Sequence, residues 1–396
     1  MATAAELKPM TSQAVLDRVR ELGPTFDALA AGHQQDTEIS REVIDLLVGT
    51  GLFGMMVPRE LGGLESDPLD IIALIRDLSY WDGSAGWFAA AVMTGGAVSG
   101  AFLGPKAIAA MYRPGHPLPL CAGQAAPTGK AVREGDGYRI SGKYSFGSGT
   151  PAAQWIVGGY VVQENGKPVM LAPGVPRMLI AMAPRETVTF TGNWDVLGLR
   201  GTGSYDFAVN DQVLHEDFFF EPGVSPQQHG GALYRMGFMA LPCIHHASFP
   251  IGVARRALDE WGEFARTKAR APGVMANQMQ TFQRDFAAAH GELRSAEAYV
   301  LRTYERLFEA AQAGAVPDDL RLDGRLCATN AYAAGMRVVQ AAFAGTTTFG
   351  IRDGNAIQRC FRDMQAGNAH FLTGEQSLIE AGAFLAGQPG ATHGLL

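Results

Sequence analysis

A chain of 396 residues, 47% apolar and 18% charged, is long enough for two or three domains with a sizeable core and has the composition of a soluble protein. Its formal net charge of −7, with no Lys/Arg cluster, excludes the basic footprint of a nucleic-acid binder. Cys121, Cys243, Cys327 and Cys360 have no CxxC spacing, which excludes a zinc knuckle and a disulfide framework and reads as buried thiols of a reducing cytosol.

The N-terminus lacks the basic-then-apolar pattern of a secretory leader. Residues 11–113 read as helices. Val15, Val19, Leu22, Phe26 and Leu29 recur at three and four residues, and Ser40 and Gly51 mark the start and stop of a second amphipathic stretch. From Gly83 to Pro105 there is no charge, a length that matches a membrane span. The segment is Gly- and Ala-rich, lacks basic flanks on one side and is the only one of its kind, so it reads as a core helix.

Residues 118–222 change to short alternating runs separated by Gly, Asn and Pro, with "ENGKP" as a hairpin turn. No helix is interleaved for βαβ crossovers, so a small antiparallel barrel or sandwich is expected. From 230 onward the pattern is helical again. Phe286, Leu293, Val300 and Leu307 form a seven-residue seam on a helix of roughly 45 Å, which suits a long bundle packed against a second subunit. The fold class is therefore mixed α and β: an N-terminal helical domain (1–115), a central β domain (116–222) and a C-terminal helical bundle (223–396).

Three stretches carry candidate chemistry. "RGTGS" (200–204) is not a Walker loop, because no Gly-Lys-Ser/Thr closes it, and it sits between strands. Taken alone it is a hairpin bend, although its backbone and hydroxyls also suit a phosphate or the edge of a flat ligand. "YSFGSGTPAAQW" (144–155) is a second such bend. With Phe146 and Trp194 beside them, the two bends form either a shelf for a planar ring or ordinary core. In "RDMQAGNAH" (362–370), His370 follows Asp363 by seven residues, which places them on one side of a helix. A lone His of this kind is ordinarily a satisfied core His. His245–His246 has no third ligand at metal spacing, so no metal site is expected. No GxSxG elbow is present.

The helix, strand, helix order and the strings "GLFGMMVPRELGGLE", "GDGYRISGKYSF", "GVARRALDE" and "IQRCFRDMQA" resemble the acyl-CoA dehydrogenase fold over nearly the whole chain. "DGSAGWFAA", "YSFGSGTPAAQW", "WDVLGLRGTGSYDF" and "RDMQAGNAH" are similar to the two-component flavin-dependent monooxygenases of that fold. That resemblance implies reduced flavin (FAD or FMN) from a separate reductase, O2, a C4a-(hydro)peroxyflavin, and hydroxylation of a hydrophobic, aromatic or polycyclic small molecule. It also implies a cytoplasmic homotetramer with no membrane or nucleic-acid partner. The loop Arg200–Ser204 would line the flavin, with Thr202, Gly203 and Ser204 supplying donors and close backbone. Phe146 and Trp194 would pack by the ring, and Ser148 would sit at its reactive edge. Trp87, His246 and His370 would lie on the substrate side, His370 bonding the oxygenated flavin or taking a phenolic proton. A dehydrogenase base is missing from both usual places, which here are Phe371 and Pro242, and "CAGQAAPTGKAV" replaces the dehydrogenase flavin string. Glu375 and Glu380 keep a relocated base, and hence dehydrogenation, open as the alternative. A non-catalytic binding protein is the third reading.

Overall fold

The structure, a computed structural model, describes residues 10–389. Five helices come first: α1 (Ser12–Asp36), α2 (Arg41–Thr50), α3 (Pro68–Trp81), α4 (Gly83–Phe102) and α5 (Pro105–Met111). Side chains of Thr11, Ser40, Asp67 and Asp82 accept the first free N–H groups of α1 to α4, and α2 stops where Gly51 turns left-handed at φ 84°. The charge-free segment is α4. It is long and apolar enough to cross a membrane, yet 78% of that stretch is buried inside the fold, so it is a core helix. Its glycines make that burial possible: a Cβ on Gly95 would sit 2.0 Å from the carbonyl oxygen of Cys121. The helix therefore lies against the first strand at backbone contact.

The central region forms one eight-stranded sheet: β1 (Cys121–Glu134), β2 (Gly137–Gly147), β3 (Trp155–Glu164), β4 (Lys167–Pro168), β5 (Met178–Pro184), β6 (Val188–Phe190), β7 (Tyr205–His215) and β8 (Phe219–Phe220). Its order is β8-β5-β3-β1-β2-β7-β6, with β4 paired to β3. The "ENGKP" turn joins β3 to β4, with Asn165 and Gly166 both at positive φ as a tight hairpin requires.

The sheet is not antiparallel throughout, because β1 and β3 run parallel. No helical crossover is needed. The chain leaves β1 through a hairpin, returns along β2 to the start of β1, and crosses the end of that strand through residues 148–154. It then begins β3 on the far side, with Trp155 opposite Cys121. β1 itself escaped the sequence reading because "QAAPTG" breaks its alternation; its register with β3 shifts between Gln124 and Gly129.

The third region holds α6 (Ala232–Arg235), α7 (Ala240–Thr267), α8 (Gln280–Ala313), α9 (Asp318–Thr346), α10 (Ala356–Asn368) and α11 (Glu375–Leu385). Here the seven-residue seam needs correction. Leu293, Val300 and Leu307 are buried within this chain, against α7 and α9. The α9 helix, 29 residues beside the 34 of α8, is long enough to cover the seam without a second subunit. One continuous apolar core runs through the helices, the sheet and the bundle. All four cysteines are buried and free.

Candidate active site

The segment that crosses the end of β1 meets the "RGTGS" loop that enters β7. The last pairs of β2 with β7 slip between Tyr144 and Gly147, and Phe146 takes φ 64° in that irregularity. Phe146 is thereby turned outward, 62% exposed, with its ring edge-on to Trp194 at 6.1 Å. Ser148 turns inward. Its Oγ accepts the Trp87 indole N–H at 3.0 Å and lies 2.6 Å from Ser204 Oγ, which lies 2.7 Å from Thr202 Oγ1. Thr202 donates its hydroxyl to the Leu199 carbonyl at 2.9 Å, and Trp194 Nε1–H reaches the same oxygen at 3.1 Å.

The loop is braced from three directions. The Leu199 N–H donates to Asp363 Oδ1 on α10 at 2.7 Å, although Leu199 itself is held at φ 54°. The Gly201 N–H donates to Ser84 Oγ, on the first turn of α4. The Gly203 N–H donates to the Thr37 carbonyl after α1. Behind Ser84, the Asp82 carboxylate pairs with buried His33 at 2.7 Å. One expectation changes as a result. The backbone donors of Gly201, Thr202 and Gly203 are spent inside the protein, and Thr202 and Ser204 are each only 1% exposed. The Arg200 guanidinium bonds to Gln34, Val196 and Asp195 through Nε and Nη1, and so braces the loop. Of the hydroxyl row, only Ser148 is part-exposed.

On the other side of Trp87 lies a wall of rings. The indole meets His246 and Phe249 edge-on at 5.2 Å and His370 at 5.8 Å, while His246 and His370 stack at 4.1 Å. Tyr332 closes the wall behind Phe249 and His246. Gly367 permits this closeness, since a Cβ there would come within 3.2 Å of Phe249, Tyr332 and Trp87. His370 and Asp363 do not share a helix. The α10 helix ends at Asn368, and His370 caps the next short turn by accepting the Leu372 N–H on Nδ1 at 3.3 Å. Asp363 faces the loop and His370 faces Trp87.

Sequence reasoning missed the bracing residues His33 and Gln34, which carry no local pattern, and it quoted Asp82, Ser84 and Asp363 within strings without assigning them a bracing role. It also missed Phe249 and Tyr332, for which the one available signal was the position of Phe249 three residues after His246. Among the described residues, no group of three His, Cys, Asp or Glu is placed to hold a metal ion.

Residues 10–109 match the family model of the acyl-CoA dehydrogenase N-terminal domain, and residues 244–375 match that of the acyl-CoA dehydrogenase C-terminal domain. The solved 3-HSA hydroxylase from Rhodococcus sp. RHA1 superposes with a TM-score of 0.88 at 23% identity, covering 95% of this chain and 97% of that one. The oxygenase component of the FADH2-dependent resorcinol hydroxylase of Rhizobium sp. is 26% identical, over 92% of this chain and 91% of its own length. Indole-3-acetate monooxygenase of Pseudomonas putida is 32% identical over 377 residues, 92% of this chain and 94% of the relative. The chain belongs to the flavin-dependent monooxygenases of the acyl-CoA dehydrogenase fold.

The remaining details of the site agree with a monooxygenase. Phe371 and Pro242 occupy the two positions at which the resemblance to dehydrogenases would put a base, and neither can act as one. Glu375 lies exposed on α11, and Glu380 is paired with Arg325 at 2.6 Å, so neither carboxylate reaches the ring wall as a relocated base. Burial pushes His370 down to about 4 and His245 down to about 3. It also holds His246 well below the usual imidazole range, with His370 and His245 adding to the effect. With its imidazole neutral, His370 therefore accepts on Nδ1 and carries its proton on Nε2.

Proposed function

We propose that this monooxygenase is the oxygenase component of a two-component system, taking reduced flavin from a separate reductase and hydroxylating an aromatic or polycyclic small molecule. The observation that carries the substrate class is the ring wall of Trp87, His246, Phe249, Tyr332 and His370. Flat aromatic faces that also carry the polar groups of His246, Tyr332 and His370 suit an aromatic ring bearing an oxygen or nitrogen. The relatives named for indole-3-acetate and resorcinol support the same class, and the name "oxygenase component" supports a reductase partner.

The residues fit a flavin. Phe146, exposed beside Trp194, offers an uncovered aromatic shelf, and Ser148 is the part-exposed end of a buried hydroxyl row. When bound, reduced flavin supplies the electrons that activate O2 for transfer of one oxygen atom. This chain's own residues do the rest. Phe146 and Trp194 would cover the ring and Ser148 would bond its reactive edge, while Gly203 and Thr202 set the shape of the loop behind. The apolar face of α4 and the ring wall exclude water, which strengthens each hydrogen bond inside. His370 donates through Nε2–H to an oxygen on the substrate side, and Trp87 separates that side from Ser148.

Anaerobic titration with reduced FMN and reduced FAD, followed by oxygen and a phenol or indole, tests this reading. Tight binding of one reduced flavin, weak binding of the oxidised form and a product heavier by one oxygen atom are expected. Stoichiometric, non-exchanging oxidised FAD that an acyl-CoA reduces would overturn it.

Assembly as a homotetramer through the C-terminal region belongs to the same proposal. Its support is the outward apolar face of α11, where Leu378, Ile379 and Leu385 are each more than half exposed, rather than the internal seam of α8. Light scattering at micromolar concentration is expected to give a tetramer or at least a dimer. A stable monomer would refute it.

A further inference from the structure

His370 is held from behind by bonds that start on a different helix. After α10 ends, residues 371–373 make a short turn, and Leu372 bonds through both its backbone groups. Its N–H donates to His370 Nδ1 at 3.3 Å, and its carbonyl accepts the Ser377 hydroxyl at 2.8 Å. Ser377, on the first turn of α11, in turn accepts Arg325 Nη2–H from α9 at 3.0 Å. The direction of these two bonds of Ser377 is set by chemistry, since a guanidinium only donates and a carbonyl only accepts. Arg325 also pairs through Nη1 with Glu380, further along α11, at 2.6 Å. Ser377 is 2% exposed and Arg325 7%, so the relay runs inside the protein. The apolar contact of α11 with α9 is small. The helix buries Ser377 and Ala381, and Ala381 packs with Leu322, Leu326 and Phe384 in a cluster separate from the main core.

We propose that Arg325 and Ser377 are positioning residues for His370: through the Leu372 turn they fix which ring nitrogen carries the hydrogen. The inference rests on the role given to His370 above. A neutral imidazole carries one hydrogen, and the nitrogen that accepts a bond from the protein leaves that hydrogen to the other. The Leu372 N–H claims Nδ1. At 3.3 Å it stands just beyond the common range of about 2.7–3.2 Å, so a small retreat of Leu372 ends the bond. Local bonds do not prevent the retreat. Thr373 directs both its N–H and its hydroxyl to the His370 carbonyl, which keeps the shape of the turn but does not tie it to α9. Burial of the Leu372 side chain holds the residue in the core without setting the tilt of its peptide groups. Ser377 and Arg325 set that tilt. Without them the hydrogen is shared between Nδ1 and Nε2, and the ring is freer to turn off His246, on which it stacks at 4.1 Å.

The test is a double-mutant cycle on hydroxylation, with hydrogen peroxide counted per product, in the wild type, Ser377→Ala, Arg325→Lys, His370→Ala and the two double variants that carry His370→Ala. Lysine keeps the buried charge but lacks the fork that holds Glu380 and Ser377 together. Ser377→Ala and Arg325→Lys should each slow hydroxylation roughly tenfold, the worth of one neutral hydrogen bond, and raise the peroxide ratio, with reduced-flavin affinity unchanged. In the His370→Ala background neither should slow it further. The second readout is the nitrogen NMR spectrum of histidine-labelled protein at neutral pH, which reports the ring hydrogen without turnover. His370 should hold it on Nε2 in the wild type and share it between the two nitrogens in both variants. If Ser377→Ala does not fold, Arg325→Lys carries both readouts. Equal slowing with and without His370 would overturn the relay. So would an unchanged tautomer and peroxide ratio in both variants, even with a lowered melting temperature, alongside an effect of His370→Ala; the role of His370 would then stand. No effect of His370→Ala on hydroxylation would remove that role, and the inference with it.

Discussion

Replacing His370 with Ala is expected to slow hydroxylation by roughly 10²–10⁴-fold, the usual worth of a positioned acid–base or hydrogen-bonding group, or to divert oxygen to hydrogen peroxide. Reduced-flavin affinity should remain near wild type, because His370 stands across Trp87 from Ser148. A small stability loss, ~1 kcal/mol, accompanies the change because His370 caps the turn at Leu372. Peroxide released per substrate hydroxylated is the deciding measurement. An unchanged ratio and rate with a lowered melting temperature would make His370 a core residue. The pH profile adds a second test. With its Nδ1 engaged and its titration pushed down to about 4 by burial, His370 keeps its proton on Nε2 over the whole neutral range. Hydroxylation should show no break between about pH 5.5 and 8 that disappears in His370→Ala. A break near 6.5 that the variant abolishes would mean that His370 works as a base.

The second large effect concerns Asp363. Burial raises this carboxyl from 3.8 to about 6; Asp82 adds to the rise, while the Leu199 N–H, Arg359 and Arg362 oppose it. The folded state therefore holds the proton more tightly than the unfolded chain. Stability is highest below the unfolded value and falls as pH climbs from about 4 to about 6, by on the order of 3 kcal/mol in total. Asp363→Asn should abolish that slope, because Asn cannot ionise and its carbonyl still accepts the Leu199 N–H. Thermal melts of the two proteins from pH 4 to 8 should diverge through that window, the variant being the more stable at the upper end. Parallel curves would refute the assignment. Asp363→Leu should differ sharply, since it leaves the buried Leu199 N–H unpaired at a cost of about 1–3 kcal/mol and loosens the loop.

What the sequence made legible follows from which interactions are local. Helices announced themselves through Ser40, Gly51 and the spacing of Val15 to Leu29, since caps and amphipathic faces repeat within a few residues. The hairpin at Asn165–Gly166 was legible for the same reason. The parallel pairing of β1 with β3 was not, because it depends on where a seven-residue crossing lands. At the site, Ser148, Trp194 and His370 were reached through short strings. The bond from Arg200 to Gln34 was not legible, because Gln34 lies on a helix distant in sequence. The seam of α8 misled for a related reason. A heptad identifies a buried stripe but does not say which chain covers it.

The segment 148–154 both closes the sheet and carries Ser148. Surface loops ordinarily absorb insertions and deletions, and enzymes diversify by exploiting that freedom. Here the freedom is missing. An added residue would have to be accommodated between the last pair of β2 and the first pair of β3, either displacing Trp155 from Cys121 or pushing Ser148 out of the hydroxyl row. Descendants of this protein can therefore change along the ring wall, one side chain at a time, while the crossing that carries Ser148 keeps a fixed length for architectural reasons that would persist whatever its chemistry.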